Sequence, residues 1–240
     1  DAAVALLAAA NGSARILAGG TDLLVQLRAG LVEPDVVVDI KKISQTRQVT
    51  AQDGGFRVGA AVTGAELDEH PDLKKNWPGV VEAAELIGST QVQGRATMGG
   101  NLCNASPAAD GVPPLLSLEA RVELQDQSGA TLLPLSKFIQ GNRRTSLAPG
   151  QLLTSIQVPK TLQDGRSAFL KLGARSYLVI SIVMVAGLLL LDEQGRVSKA
   201  NLSIGACSEV AQRLPLLEAE LAGQRPRQDI VRPEHFAHLS

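Results

Sequence analysis

The chain has 240 residues, a length that allows one large domain or two smaller ones. Apolar residues make up 45%, which excludes a disordered chain, and only 2% are aromatic, so Leu, Val, Ile and Ala must build the core. The net charge is -1 and the lysines and arginines are scattered, which argues against the basic surface that nucleic-acid binding requires.

The first part of the chain predicts a compact unit of helix, strand, turn, helix and strand. These helices and strands are predicted at residues 2–10, 15–18, 22–28 and 36–40. Asn11-Gly12 ends the first helix, and Gly19-Gly20 interrupts the first strand before Thr21 or Asp22 begins the second helix as its N-cap. We therefore expect a first subdomain up to about residue 42.

A second subdomain is expected from residue 43 to about residue 150. Its strands are predicted at residues 56–61 and 120–125, and its helices at residues 63–69, 78–87 and 113–118. Thr63 with Glu66 three residues later has the spacing of a capping box. Residues 91–104 and 142–151 are polar and contain glycine or proline, which predicts a loop and a linker.

The rest of the chain, residues 151–240, predicts a small antiparallel sheet with helices on one face. Its strands are predicted at residues 152–158, 168–172, 180–191 and 197–205, and a helix near residues 216–221. Asp164-Gly165 and Gln194-Gly195 are typical of tight hairpin turns. The longest apolar run, residues 178–191, has 14 residues, so no membrane span is predicted.

Cysteine and histidine usage argues against a metal centre within this chain. Cys103 and Cys207 cannot supply the four thiolates of a conventional iron–sulfur cluster, and no C-x-x-C pair is present. We expect two reduced thiols in a cytoplasmic protein, although the sequence leaves a disulfide open. His235 and His238 are spaced to share a helix face, yet a solvated tail explains them better than a metal pair.

Two glycine pairs are candidate ligand-binding segments. In LAGGTDLL, residues 17–24, a strand runs through Gly19-Gly20 into a helix, which suits the approach of a phosphate to backbone N–H groups. TMGGNLCNASPAAD, residues 97–110, offers free backbone donors at Gly99 and Gly100, surrounds them with hydroxyl and amide side chains, and ends in Asp110, which could accept from sugar hydroxyls. Taken alone, the first segment is more often an ordinary strand-to-helix turn, whereas for the second a polar surface loop and a binding loop are equally open interpretations.

Neither segment matches the common nucleotide-binding fingerprints. The sequence has no G-x-G-x-x-G after a strand and no G-K-[ST], so a Rossmann or P-loop assignment is unsupported. Two phosphate-compatible segments far apart in sequence suit a diphosphate held between two subdomains.

In combination, AGGTDLLVQLR followed by TMGGNLCNASPAAD resembles the paired motif of the FAD-binding (medium) subunit of molybdenum hydroxylases, the xanthine dehydrogenase and carbon monoxide dehydrogenase type. Three further stretches fit in the family's order, AAVTGAEL at residues 60–67, FIQGNRRTSLAPGQLLTSIQVP at residues 138–159 and ARSYLVISIVMVA at residues 174–186. The resemblance covers roughly residues 1 to 220. Departures from the family pattern occur at Gln93-Gly94, Gln151, Ser176 and Val179.

The resemblance implies an α+β fold and a set of FAD-binding residues. The fold would be a two-subdomain FAD-binding region of the vanillyl-alcohol-oxidase type at residues 1–150, followed by a small C-terminal α+β domain at residues 151–240. Asp110 would bind a hydroxyl of the FAD sugar or ribityl chain, and Tyr177 or Leu178 would lie near the flavin ring. The residues that would hold the diphosphate from two sides are Leu17, Ala18, Gly19, Gly20, Thr21, Asp22 and Leu23, facing Thr97, Gly99, Gly100, Asn101 and Asn104.

The resemblance also implies an electron-transfer role without substrate chemistry, and we predict no catalytic residue in this chain. A large subunit with a molybdenum–pterin (molybdopterin) cofactor and a small ferredoxin-like subunit with two [2Fe-2S] clusters would be its partners, in a dimer of heterotrimers. Electrons would pass from the clusters through FAD to NAD, a quinone or oxygen. The alternatives are a stand-alone FAD-dependent oxidase or dehydrogenase, which would need its own catalytic base, and a binding module that has lost its flavin.

Overall fold

The computed structural model describes residues 2–10, 12–52, 55–159 and 164–239. The described α-helices are α1 (Ala2–Ala9), α2 (Leu23–Arg28), α3 (Gly64–Asp68), α4 (Pro71–Asn76), α5 (Pro78–Glu85), α6 (Thr90–Gln93), α7 (Met98–Asn104), α8 (Val112–Ser117), α9 (Leu135–Phe138) and α10 (Pro215–Leu221). Short 3-10 helices lie at Ile40–Lys42, Ser44–Arg47, Gln228–Ile230 and Pro233–Leu239. Asn11, a predicted helix stop, lies outside the described residues.

The described strands are β1 (Ala14–Leu17), β2 (Val36–Asp39), β3 (Val49–Gln52), β4 (Gly55–Gly59), β5 (Arg121–Asp126), β6 (Gly129–Pro134), β7 (Ile139–Gly141), β8 (Arg144–Thr145), β9 (Leu152–Val158), β10 (Arg166–Leu172), β11 (Val183–Leu191), β12 (Val197–Gly205) and β13 (Gln212–Arg213). They form a mixed helix and sheet fold, as the sequence predicts. Every described helix is too short or too polar to cross a lipid bilayer.

The N-terminal unit has the predicted order of elements. β1 and β2 pair in parallel, with Ala14 opposite Val36 and Leu17 opposite Asp39, and α2 connects them. Parallel neighbours need such a crossover, and the Gly-Gly turn after β1 supplies its first bend. Asp22 stands at the N-cap position of α2, but its side chain does not accept a capping hydrogen bond there.

The largest sheet has five strands in the order β3-β4-β9-β5-β6, and its pairs are antiparallel. β9 is its central strand, so the prediction that places this strand in the C-terminal sheet is wrong. The physical reason is that β9 buries residues on both of its faces, including Leu152 and Leu153, which only a strand covered on both sides can do. Because β9 and β10 lie in different sheets, the predicted hairpin turn at Asp164-Gly165 is also wrong.

Helices α3, α4, α5, α7 and α8 contribute buried side chains to one large core with this sheet, and α5 and α8 also pack on the C-terminal strands β10, β11 and β12. Phe56 of β4 meets Trp77 edge to face, with ring centroids 4.7 Å apart. The predicted capping box of α3 is confirmed: the Thr63 hydroxyl accepts from the Glu66 N–H at 3.2 Å, and the Glu66 carboxylate accepts from the Thr63 N–H at 2.8 Å. These contacts fix the helices that form one side of the candidate site.

The C-terminal sheet is antiparallel, in the order β10-β11-β12-β13, and α10 packs on β12. The predicted turn at Gln194-Gly195 is confirmed as the hairpin between β11 and β12, with Gly195 at φ +72°. β11 begins at Val183 rather than at residue 180. The sheet is anchored to α8 by polar contacts, since Ser203 Oγ donates to the Pro113 carbonyl at 2.5 Å and Asn201 Nδ2 donates to the Ser117 carbonyl at 2.7 Å.

Candidate functional site

A cavity of about 510 Å³ lies between the N-terminal unit and the helices of the large core. Three stretches of chain supply most of its wall, residues 18–23, residues 96–104 and residues 147–153. Apolar side chains such as Leu7, Ile40 and Ile87 line the remainder. A concave site of this size, largely apolar with a few polar groups, is typical of binding pockets for small molecules and cofactors.

The two glycine motifs meet at one backbone contact. A Cβ on Gly19 would lie 2.1 Å from the carbonyl oxygen of Arg95 and 2.9 Å from Cα of Ala96. Gly20 has φ +80°, the left-handed region that favours glycine. Glycine at position 19 therefore lets the turn after β1 lie directly against the segment before Thr97, although the two are remote in sequence.

The turn after β1 retains unused hydrogen-bond donors. Among the described residues, none accepts a hydrogen bond from the backbone N–H groups of Gly19, Gly20, Thr21, Asp22 or Leu23. All of these residues line the cavity. A run of unpaired backbone N–H groups attracts an anion, so this wall can bind a phosphate or diphosphate.

Lys41 fixes the start of the same turn. Its Nζ donates to the Ala18 carbonyl at 2.9 Å and forms an ion pair with Asp39 Oδ1 at 2.8 Å. The hydrogen bond from Lys41 lowers the pKa of Asp39 below its usual value. Because Lys41 holds the Ala18 carbonyl, the direction of the backbone after β1 is fixed. The N–H groups that follow Ala18 then face the cavity.

The second motif is a helix and not the predicted loop. Thr97 is the N-cap of α7, and its hydroxyl accepts from the Gly100 N–H at 3.0 Å. A Cβ on Gly99 would lie 2.5 Å from the Ala60 carbonyl oxygen, so glycine permits the helix to pack there. The expectation that Gly100 offers a free N–H is therefore wrong. Gly100 instead provides space opposite Ala18, since a Cβ added at Gly100 would lie 3.9 Å from the Ala18 Cβ.

Most of the predicted site residues come together in this cavity. Those in its wall are Ala18, Gly19, Gly20, Thr21, Asp22, Leu23, Thr97, Gly99, Gly100, Asn101 and Asn104. Leu17 ends β1 directly before this wall. Asn101 also has a local role, because its Oδ1 accepts from the Gly111 N–H at 3.1 Å. Among the described residues, Asp110, Tyr177 and Leu178 lie outside this wall.

Asp110 lies in a buried polar cluster. One carboxylate oxygen accepts from Lys171 Nζ at 2.7 Å and the other accepts from Ser181 Oγ at 2.5 Å. The side chains of Asp110 and Lys171 are only 8% and 9% exposed. Both oxygens are thus engaged within the protein, and Asp110 connects the second motif to the C-terminal sheet through Lys171 of β10.

Tyr177 and Leu178 lie on the surface between β10 and β11. Tyr177 is 77% exposed and Leu178 is 53% exposed, with φ +52° at Leu178. Arg175 donates to the Leu178 carbonyl through its guanidinium. The structure therefore does not bring these two residues to the cavity that holds the glycine motifs.

Sequence reasoning misses the third wall of the cavity, at residues 147–153. The sequence predicts a linker and a strand for these residues, yet Pro149 and Gly150 line the cavity, with Gly150 at φ +83°. Gln151 holds the wall in place, because its Nε2 donates to Asp126 Oδ2 at 3.0 Å. The Pro-Gly pair is a signal for a defined turn, but nothing in its composition indicates which cavity it faces.

The cavity has the chemistry of a binding site. Among the described residues, no group of three or more His, Cys, Asp and Glu side chains is placed to hold a metal ion. The polar side chains in the wall are amides, hydroxyls, the Cys103 thiol, the Arg15 guanidinium and one carboxylate, Asp22, whose oxygen accepts from Gln26 and Arg143. This arrangement can bind and orient an anionic cofactor.

Cys103 is expected to be an unreactive thiol in the cavity wall, because burial raises its pKa to about 12. At pH 8 only about one molecule in ten thousand would carry the thiolate that reacts with alkylating agents. With iodoacetamide, Cys207, which is exposed, should be labelled at least about 100-fold faster than Cys103. Mass spectrometry of timed samples measures both rates, and the denatured protein serves as control. Equal rates in the folded protein would contradict the raised pKa of Cys103, which is half-buried in the cavity wall.

Comparisons with known proteins agree with this geometry. Residues 1–161 match the model of a family described as the FAD binding domain in molybdopterin dehydrogenase. The chain is 30% identical to the FAD subunit of nicotinate dehydrogenase from Eubacterium barkeri, over 87% of this chain and 71% of the relative. It is 32% identical to the xanthine dehydrogenase FAD-binding subunit of Escherichia coli O157:H7, over 84% of this chain and 70% of the relative.

A solved structure has the same fold over nearly the whole chain. It is a carbon monoxide dehydrogenase from Hydrogenophaga pseudoflava that lacks the Mo-pyranopterin moiety of its molybdenum cofactor. The superposition has a TM-score of 0.90 at 27% identity and covers 96% of this chain and 79% of the other.

Proposed function

We propose that this chain, which belongs to the family of FAD-binding domains in molybdopterin dehydrogenases, is the FAD-binding, electron-transfer subunit of a multi-subunit molybdenum hydroxylase. In this role it passes electrons from the [2Fe-2S] clusters of a partner subunit to an external acceptor such as NAD, a quinone or oxygen. The observation that carries the proposal is the contact between Gly19 and the Arg95 backbone, which places the two glycine motifs on facing walls of one cavity.

The residues of the cavity fit the diphosphate of FAD. The free N–H groups of Gly19 to Leu23 would bind its oxygens, with Leu17 and Ala18 setting the course of the chain. The facing wall would consist of Thr97, Gly99, Gly100 and Asn101, with Asn104 at its end. At Gly19 and Gly99 the absence of a Cβ lets each wall pack against neighbouring backbone, and at Gly100 it leaves space opposite Ala18.

When bound, FAD supplies the redox chemistry, because a flavin can take electrons one at a time and release them in pairs. The chain's own residues bind and orient the cofactor. Lys41 fixes the turn at Ala18, and the Thr97 cap fixes the start of α7. The apolar wall around Leu7 and Ile87 offers water no hydrogen-bond partner in that part of the site.

The finer features of the fold remain proposals. We propose that the FAD-binding region is of the vanillyl-alcohol-oxidase type, with subdomains at about residues 1–42 and 43–150. The place of β9 in the five-stranded sheet favours ending this region after Val158 rather than at residue 150. The contributions of Asp110, Tyr177 and Leu178 to FAD binding stay predictions, because these side chains do not contact the cavity.

The partners are proposed from the nature of the relatives. Several of these are subunits or medium chains of dehydrogenases, including the medium chain of carbon monoxide dehydrogenase from Hydrogenophaga pseudoflava, at 30% identity. We propose a large subunit with the molybdenum cofactor and a small ferredoxin-like subunit with [2Fe-2S] clusters. A dimer of such heterotrimers in the cytoplasm is the assembly we expect.

Purification of the full chain from its native cells tests this role. We expect the chain to elute together with two further subunits, and metal analysis of the complex should find molybdenum and iron in fixed ratio to FAD. A chain that elutes alone with FAD and itself oxidises a substrate would instead support the stand-alone oxidase or dehydrogenase. Such a result would contradict the proposed role while leaving FAD binding intact.

A further inference from the structure

One side chain outside the two glycine motifs joins the two walls of the cavity. Arg143 Nη1 donates to Asn104 Oδ1 at 2.7 Å, and the same nitrogen lies 3.3 Å from Asp22 Oδ2. Asp22 belongs to the first glycine motif and Asn104 to the second. Gln26 of α2 also donates to the Asp22 carboxylate, so this acceptor is held from its own helix.

The backbone of Arg143 adopts a conformation that a residue with a side chain rarely takes. Its φ is +53°, in the left-handed region. Such a conformation persists only where the surroundings determine it, and it is frequent at functional positions. Glycine would adopt the same φ without strain, so the presence of arginine here requires a reason in its side chain.

Hydrogen bonds on both sides hold this strained residue in place. The Arg143 N–H donates to the Ala105 carbonyl at 2.8 Å, directly after α7. The preceding N–H, of Asn142, donates to Glu209 Oε1 at 3.3 Å, and Glu209 follows β12 of the C-terminal sheet. The backbone of the loop is thereby fixed against the second motif before the guanidinium reaches the first.

We propose that Arg143 is a positioning residue that clamps the wall of residues 19–23 to the wall of residues 97–104 and so slows the release of FAD. The inference rests on the proposed function. An exposed ion pair with Asp22 alone would contribute little. The effect comes from two acceptors on separate walls that one guanidinium nitrogen, Nη1, holds together. The lysine side chain is one bond shorter, so its ammonium ends short of this position. When the two walls are already held together before FAD binds, less conformational entropy is lost on binding.

Three variants test the clamp. Arg143→Gly removes the side chain and accepts the left-handed backbone, so the protein should unfold at the same temperature as wild type. Arg143→Lys retains the charge without the bridge. Arg144→Ala is the matched control, because this neighbouring arginine contacts the Gln140 carbonyl and neither motif. The dissociation constant and release rate of FAD are measured for each variant by titration and stopped-flow fluorescence.

We expect Arg143→Gly and Arg143→Lys each to weaken FAD binding about tenfold, mainly through faster release, and Arg144→Ala to stay within about twofold of wild type. Hydrogen exchange without FAD should become faster in both walls of Arg143→Gly and unchanged in Arg144→Ala. The clamp is overturned if Arg143→Gly binds FAD as wild type does, if lysine restores binding, or if exchange in the two walls is unchanged. A wild-type chain that binds no FAD would instead refute the proposed function, and the exchange result would still decide whether Arg143 joins the walls.

Discussion

Replacing Gly19 by alanine is expected to weaken FAD binding at least about 100-fold, which corresponds to about 2.7 kcal/mol. The added Cβ would lie 2.1 Å from the Arg95 carbonyl oxygen and 2.8 Å from its carbonyl carbon. Both contacts are with backbone, which cannot turn aside as a flexible side chain can. The two walls must therefore move apart, and the N–H groups that face the diphosphate lose their position. Titration with FAD, followed by flavin fluorescence, measures the effect.

A second glycine separates this effect from a general loss of stability. Gly195, in the hairpin between β11 and β12, has φ +72°, and an added Cβ there would meet nothing within 4 Å. Gly195→Ala should cost about 1 kcal/mol of stability through backbone strain alone and leave FAD binding unchanged. If Gly19→Ala, folded as judged by circular dichroism, keeps full FAD occupancy, the paired-wall arrangement is wrong.

At Gly100, in the facing wall, the loss of FAD binding should increase with the size of the substituted side chain. Its added Cβ would meet the Thr97 hydroxyl at 3.0 Å, a contact that a small shift relieves. Alanine is therefore expected to weaken FAD binding less at position 100 than at position 19. Leucine at position 100 would extend into the space opposite Ala18 and should abolish retention of the cofactor.

Replacing Asp110 by alanine is expected to destabilise the protein by about 3–5 kcal/mol, because it leaves the buried ammonium of Lys171 without its counter-charge. The pair is separated by 2.7 Å, and the two side chains are 8% and 9% exposed. For a chain of this size the loss corresponds to a fall in melting temperature of roughly 10 °C. Thermal unfolding followed by circular dichroism measures it.

The double variant Asp110→Ala with Lys171→Met is the control for this prediction. Removal of both charges eliminates the unpaired ammonium, so the double variant should be more stable than Asp110→Ala alone. Unfolding of Asp110→Ala at the wild-type temperature would show that the ion pair contributes nothing. Asp110 would then be free to act as the hydroxyl ligand that the family resemblance implies.

The local elements near the first motif could be predicted from the sequence because their signals are local. The Gly-Gly pair marks the turn after β1, and the Thr63–Glu66 spacing marks the start of α3. β9 could not be assigned to its sheet in this way. Its partners, β4 and β5, lie far away in the sequence, and the apolar pattern of a strand does not indicate which other strands it pairs with.

The same limit applies to the candidate site. The two glycine motifs are visible in the sequence. However, α7 is predicted as a loop because glycine and asparagine have low helix propensity. In the structure, the Thr97 cap and the packing of Gly99 against Ala60 stabilise the helix despite this low propensity. The bond between Asp110 and Lys171 and the bridge from Arg143 join residues that are distant in sequence. Tertiary packing determines both, so no pattern of composition or spacing predicts them.

The measurement that tests the central proposal most directly is the visible absorption spectrum of the purified full chain, with the released cofactor identified by mass. We expect flavin absorption bands and FAD close to one per chain, either as purified or after addition of FAD. A colourless protein that also fails to take up added FAD would contradict the proposal and leave only the fold.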